Sequence, residues 1–315
     1  MPLPAGLRAL GQRHYRLYFI GTIVGQSGTW MQTVTQSWLV LQLTNSPLLL
    51  GLISTLQSGP LLLLTLFTGV LADRVNRRTL LVVTQSTQAC LAVTLGALEW
   101  SGHARYWHVA VMAVLWGVMS SIDQPARQSL VMELVGRENV TSAVGLNSAS
   151  FNSARIVGPS IAGILIARVG LSPGFFLNAL AFVFAIAMLT QVPGRRPVPR
   201  LAPTTFVEEM IEGVGYALRT PSVRFILALQ IIVSFCVFNF SVYVPLLARD
   251  VLGMGAEGFG ALMTCLGVGA LSAGGSTLSP PSESPAASAP TPRHVMSRPK
   301  PSAPMPSTSR ARSGT

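Results

Sequence analysis

The sequence predicts an all-α integral membrane protein, and three observations predict it. Half of the 315 residues are hydrophobic and only 10% are charged, where soluble domains carry about 25%. Mean hydropathy is +0.51. The apolar residues gather in blocks of roughly 20 or more, the length a helix needs to cross a bilayer. They do not form the ~10-residue alternating strands of a membrane barrel. Inside lipid the backbone must satisfy its own polar groups, and blocks of this length do so as helices.

Taken in order, helix 1 is expected over 16–41, where Gln26, Trp30, Thr33 and Ser37 recur at helical spacing as one polar-aromatic stripe, with Gln32 and Gln36 beside it. The uncharged turn Thr44-Asn45-Ser46-Pro47 leads into helix 2, ending near Ala72. Helix 3 covers about 79–99 and helix 4 about 107–122, with Pro125 expected to end it. Helix 5 is expected over 140–169 and helix 6 over 174–192, joined by Leu171-Ser172-Pro173. A linker follows to Pro221, in which Thr205 and Glu208 read as a capping box opening a short amphipathic helix. Helix 7 is expected over 223–247 and a partial helix 8 over 259–275. The stretch from Trp38 to Leu48 is weakly echoed from Val244 to Met254, which suggests a second repeat starting at helix 7. Residues 276–315 are rich in Ser, Pro, Ala and Arg without an apolar period, so they are expected to be disordered. The domains are therefore 1–192, a six-helix half; 193–221, a cytoplasmic linker; 222–275, the start of a second half; and 276–315, the tail.

Arginine placement sets the orientation. The N-terminus, the 2–3 loop, the 4–5 loop and the segment after helix 6 hold most of the Arg residues, and the 1–2 loop holds none. By the positive-inside rule the N-terminus is cytoplasmic. The same distribution explains the net charge of +11 without nucleic acid, since no basic face interleaved with aromatic platforms exists. Cys90, Cys236 and Cys265 fall inside apolar runs and read as small buried hydrophobes. His14, His103, His108 and His294 lie in loops or flanks with no nucleophile or metal partner, and no phosphate-binding glycine loop occurs. No enzyme chemistry, metal site or cofactor is expected.

The most informative stretch is Gly69-Val70-Leu71-Ala72-Asp73-Arg74-Val75-Asn76-Arg77-Arg78, a charged elbow between two long apolar runs. Topology alone would account for the Arg residues. It does not require Asp73, which sits where a carboxylate accepts N–H groups at the start of helix 3. The stretch resembles the signature loop between helices 2 and 3 of the major facilitator superfamily. Asn76 stands where that pattern carries Gly, a mild departure because Asn tolerates left-handed backbone. Together with Gly28-Thr29-Trp30-Met31-Gln32-Thr33-Val34 and Asp123-Gln124-Pro125-Ala126-Arg127, it makes residues 10–275 resemble the transmembrane secretion effector, enterobactin exporter-like branch of that superfamily. The resemblance implies a multi-pass protein of the bacterial inner membrane. Such a protein exports a small organic solute, a siderophore or drug, by proton-coupled alternating access. Gly69, Asp73, Arg74, Arg77 and Arg78 would then stabilise a gate. In that family four more helices follow, so the chain reads as C-terminally interrupted by a change of reading frame near Gly274. A truncated, non-transporting membrane protein or interaction subunit is the alternative.

Helix 5 carries two further candidates. Ser150, Ala154, Gly158 and Ala162 are spaced by four and form a ridge that admits a neighbouring helix. With Gly145, Pro159 and Gly163 the stretch resembles the helix-5 motif of drug/proton antiporters, although tight packing alone would use the same residues. Thr141, Gly145, Ser148, Asn152 and Arg155 share another face, within about ±40° of one direction. Arg155 would lie roughly 22 Å into a ~30 Å core, a costly depth unless it faces a wet cavity or a partner. Asn152 and Arg155 are therefore expected to line a solute cavity with Gln26, Trp30, Thr33 and Ser37 opposite, although polar helix–helix contacts would use the helix-1 residues equally well. An uncharged wall of amides and one aromatic suits an amphipathic organic solute. Asp123 and Arg127 are expected to anchor a gate or couple protons. Lipid, a small solute and protons are the expected partners.

Overall fold

The computed structural model describes residues 5–194, 215, 219–236 and 240–277. Among these, side chains are described except at 5, 65–67, 69–74, 230–236, 240–241, 256 and 270–277. The expected linker helix at 205–218 and the tail beyond 277 lie outside the described residues. So do the surroundings of Gly69 and the side chains of Asp73, Arg74 and Cys236.

The described residues form helices and turns with no strand. A 3-10 segment, Ala5–Gly11, precedes α1 (Arg13–Thr44), α2 (Pro47–Arg74), α3 (Arg77–Trp100) and α4 (Tyr106–Val135). After a 3-10 turn at Arg137–Asn139 come α5 (Val140–Arg168) and α6 (Ser172–Leu189). Then follow α7 (Pro221–Cys236), α8 (Phe240–Leu246), a π-turn at Leu247–Val251 and α9 (Ala256–Thr277). Among the described residues four segments are long and apolar enough to cross a membrane: Pro47–Leu64, α3, α4 and α6. Of the first six helices, α1 and α5 do not qualify, because Gln, Thr, Ser and Asn recur along them. Their 32 and 29 residues still reach roughly 48 and 43 Å at 1.5 Å per residue.

The boundaries follow local chemistry. Asn45 closes α1 in a left-handed conformation (φ 50°) and donates its N–H to the Leu41 carbonyl. Pro47 opens α2, where its missing N–H costs nothing. The α2–α3 elbow departs from expectation. Helix α2 runs on through Arg74, so Asp73 lies in its last turn, and the cap of α3 is Asn76. The Asn76 side chain accepts from the backbone N–H groups of Arg78 and Thr79 at 3.0 and 3.4 Å. Its φ of −59° is ordinary; the residue is there for its short oxygen and not for left-handed freedom.

Pro125 does not end α4, which continues ten residues further to Val135. A proline leaves the carbonyl four residues earlier without its helical donor. That carbonyl belongs to Ser121, and Thr68 Oγ1 of α2 donates to it at 2.6 Å. The helix survives because its neighbour supplies the missing hydrogen bond.

Helix α1 packs chiefly against α6 and α5, α3 against α6 and α4, and α2 against α4. One cluster at the elbow end joins Tyr15, Tyr18, Leu81, Leu130 and Leu189. Another at the opposite end joins Leu39, Leu50, Leu95, Val109 and Phe175. A third brings Met31, Val34 and Ala162 against Ala248, Phe259 and Met263, so α9 and the π-turn close on α1 and α5. Gly158 makes the α1–α5 crossing possible: a Cβ there would lie 2.5 Å from the Ser27 carbonyl and 2.7 Å from Trp30 Cβ. Cys90 and Cys265 are exposed on the outer faces of α3 and α9. They were expected to be buried, but each lies on the face its helix turns away from its neighbours.

Candidate functional site

Polar residues in the apolar helices converge on a cavity of about 680 Å³ between α1, α3, α4, α5 and α6. Helix α1 contributes Tyr18, Gln26, Thr29, Trp30 and Thr33; α4 contributes Trp116, Ser120, Asp123, Gln124, Arg127 and Gln128. Helix α5 adds Asn147, Ser148 and Phe151, with Gln88 from α3 and Phe182 from α6. The aromatic rings are held by each other. Trp30 meets Phe151 edge-on at 5.5 Å between centroids, and Trp116 lies 5.7 Å from Phe182. The amides are oriented by hydroxyls: Ser150 donates to Gln26 Oε1 at 3.4 Å, and Gln88 Nε2 donates to Ser120 Oγ at 3.3 Å.

The charged pole is the pair on α4. Arg127 Nε donates to Asp123 Oδ2 at 2.8 Å, and Thr84 Oγ1 of α3 donates to Asp123 Oδ1 at 3.0 Å. Asp123 is 7% exposed. Burying a carboxyl group is costly unless its oxygens find such hydrogen-bond partners. The (i, i+4) spacing along one helix face lets the pair close without reaching the elbow arginines.

The structure brings five of the sequence-predicted residues to the cavity: Gln26, Trp30, Thr33, Asp123 and Arg127. It does not bring Ser37, Asn152 or Arg155 there. Ser37 joins Thr33, Gln36, Ser54, Gln57 and Ser58 around a separate pocket of about 70 Å³ between α1 and α2. Asn152 donates back to the Ser148 carbonyl at 2.9 Å. Arg155 sits over the Trp30 indole, its guanidinium carbon 5.6 Å from the ring centroid. The ring is itself a partner for a cation, so Arg155 need not reach the cavity.

Ala154, Gly158, Pro159 and Gly163 are buried away from the cavity, while Gly145 is half-buried. Helix α9 crosses close beside them, with Gly260 against the Pro159 carbonyl and Gly163, and Gly267 against the Arg155 carbonyl. The Arg155 carbonyl is the one Pro159 frees. Ser160 and Thr264 share a hydrogen bond of 2.7 Å across the same crossing.

At the elbow, Arg77 pairs with Glu133 at the end of α4 at 2.9 Å, and Arg78 donates to the Thr190 carbonyl at the end of α6 at 2.7 Å. The elbow is thus tied to two other helix ends. Glu133 lies 56 positions after Arg77, and no local pattern in the sequence announces their pairing. Beyond Asp123 and Arg127, the rest of the α4 wall was not anticipated, although Trp116, Ser120, Gln124 and Gln128 recur with them at the spacing of one helix face.

A model of the transmembrane secretion effector family, within the major facilitator superfamily, matches residues 5–280. The chain belongs to that family. Its relatives include the staphyloferrin A transporter of Staphylococcus aureus, 25% identical over 81% of this chain and 64% of the relative. The multidrug efflux pump Tap of Mycolicibacterium fortuitum is 28% identical over 66% of this chain and 53% of the relative. The enterobactin exporter EntS of Shigella boydii is 25% identical over 58% and 43%. The chain spans about half the length of these relatives. Family and helices make this an all-α membrane protein of a transporter family, in keeping with relatives that are transporters and not enzymes.

Proposed function

We propose that the chain is the solute-binding half of a secondary exporter, which moves a small amphipathic organic molecule out of the bacterial cytoplasm by alternating access. The observation that carries this reading is the cavity of about 680 Å³ with its rings, amides and one charged pair, the lining that suits a solute with an apolar body and a few polar groups. Relatives named for staphyloferrin A, enterobactin and multidrug efflux support a siderophore or drug as that solute. Residues 1–192 form the six-helix half, 193–221 the linker, 222–275 the start of the second half and 276–315 a tail. The N-terminus is cytoplasmic and the membrane is the bacterial inner membrane. Gly69, Asp73, Arg74, Arg77 and Arg78 hold one state of the gate, and the small residues of α5 with Pro159 let helices slide past one another. Asp123 is the proton-coupling acid, since its partners Arg127 and Thr84 would be released on protonation.

Efflux from energised cells tests the reading, with a siderophore and a lipophilic drug as cargoes. This chain is compared with a version extended to the length of its relatives. Protonophore-sensitive efflux by the extended version is expected. No efflux of either cargo from either version sinks the exporter reading. Efflux from the extended version alone assigns this chain the non-transporting role.

A further inference from the structure

We infer that the charged pole of the cavity receives an anionic oxygen group of the solute, a carboxylate, on the guanidinium of Arg127; this rests on the reading of the cavity as the solute site. The observation is an asymmetry in how the Asp123–Arg127 pair uses its hydrogen-bonding groups. Both Asp123 oxygens already accept, one from Arg127 Nε and one from Thr84 Oγ1, and only 10% of its side chain is exposed. Arg127 carries five N–H donors, and its bond to Asp123 uses the Nε–H alone. Its side chain is 22% exposed and lines the cavity. The Tyr18 hydroxyl lies against the same guanidinium and takes up part of it, so what the pair presents to a solute is the remaining terminal N–H groups of a cation and very little of the acid. The planar fork of those nitrogens matches a carboxylate in two parallel hydrogen bonds. Gln124 and Gln128 flank Arg127 on the same wall and add amide donors beside it. The nearby Asp123 charge limits the gain. Trp30 and Trp116 supply the surface for an aromatic body.

Two probes of equal shape separate the charge from the body: 2-naphthoate and 2-naphthamide. Equilibrium dialysis of the full chain in detergent, against a protein-free micelle blank, measures both. The naphthoate is expected to bind about tenfold tighter at neutral pH, equivalent to about 1.4 kcal/mol. The preference disappears in the double variant Asp123→Asn/Arg127→Gln, which removes both charges and strands neither, and it persists in part in Arg127→Lys. Equal affinities in the native chain, or a preference that survives the double variant, overturn the anion assignment while leaving the cavity as the solute site. If neither probe binds, the solute reading of the cavity falls and this inference falls with it. The two-probe comparison on the native chain decides even if a variant does not fold.

Discussion

Ser121 and Thr68 illustrate how single residues govern a helix in this protein. Pro125 cannot donate to the Ser121 carbonyl, and the Thr68 hydroxyl does so instead at 2.6 Å. Substituting Thr68→Val leaves a buried carbonyl unsatisfied, which costs about 1–3 kcal/mol. In a Pro125→Ala background the backbone N–H returns, so the same substitution should cost much less. A double-mutant cycle read by thermal unfolding in detergent checks this, and additive losses would refute the link. Nothing near Pro125 in the sequence announces Thr68, which lies 57 positions earlier, so the expected helix end was drawn in the wrong place. The same limit applies to Arg155. Its position midway along a long helix was legible, but a partner on another helix, the Trp30 ring, was not.

At the scale of elements, the spacing of small residues on α5 carried real information. Ser150, Ala154, Gly158 and Ala162 are all buried, and Gly158 lets the backbone of α1 come within contact distance. Replacing Gly158→Leu forces the helices apart, an overpacking expected to cost about 1–3 kcal/mol or to abolish assembly. Gel filtration and a lowered unfolding temperature report either result, and an unchanged Tm would contradict the close crossing. Helix order was readable because α2, α3, α4 and α6 are built on long apolar blocks. The cavity wall was only half readable. On α1 the stripe of Gln26, Trp30 and Thr33 stood out, whereas the full α4 stripe was hidden by ending helix 4 at Pro125, ten residues short of its end at Val135. Gln32, beside the α1 stripe, turns instead to Asn178 of α6. Periodicity alone does not say which neighbour a face meets.

At the scale of the whole molecule, orientation is the property most open to a direct check. With Cys90, Cys236 and Cys265 replaced by Ala, a single thiol is introduced as Ser101→Cys or Glu138→Cys, both exposed helix-end positions. A membrane-impermeant maleimide added to intact spheroplasts is expected to label the first and spare the second. The reverse pattern would invert the topology and place the elbow outside the cell. The Thr68–Ser121 bond also bears on motion across the membrane. If α2 shifted alone, the carbonyl of the buried Ser121 would lose its donor, and an unsatisfied buried backbone group is costly. These two rods are therefore harnessed as a single lever. Any displacement of one against the other would have to break that bond as well as the close packing between them, where Gly117 lies against the Gln57 carbonyl.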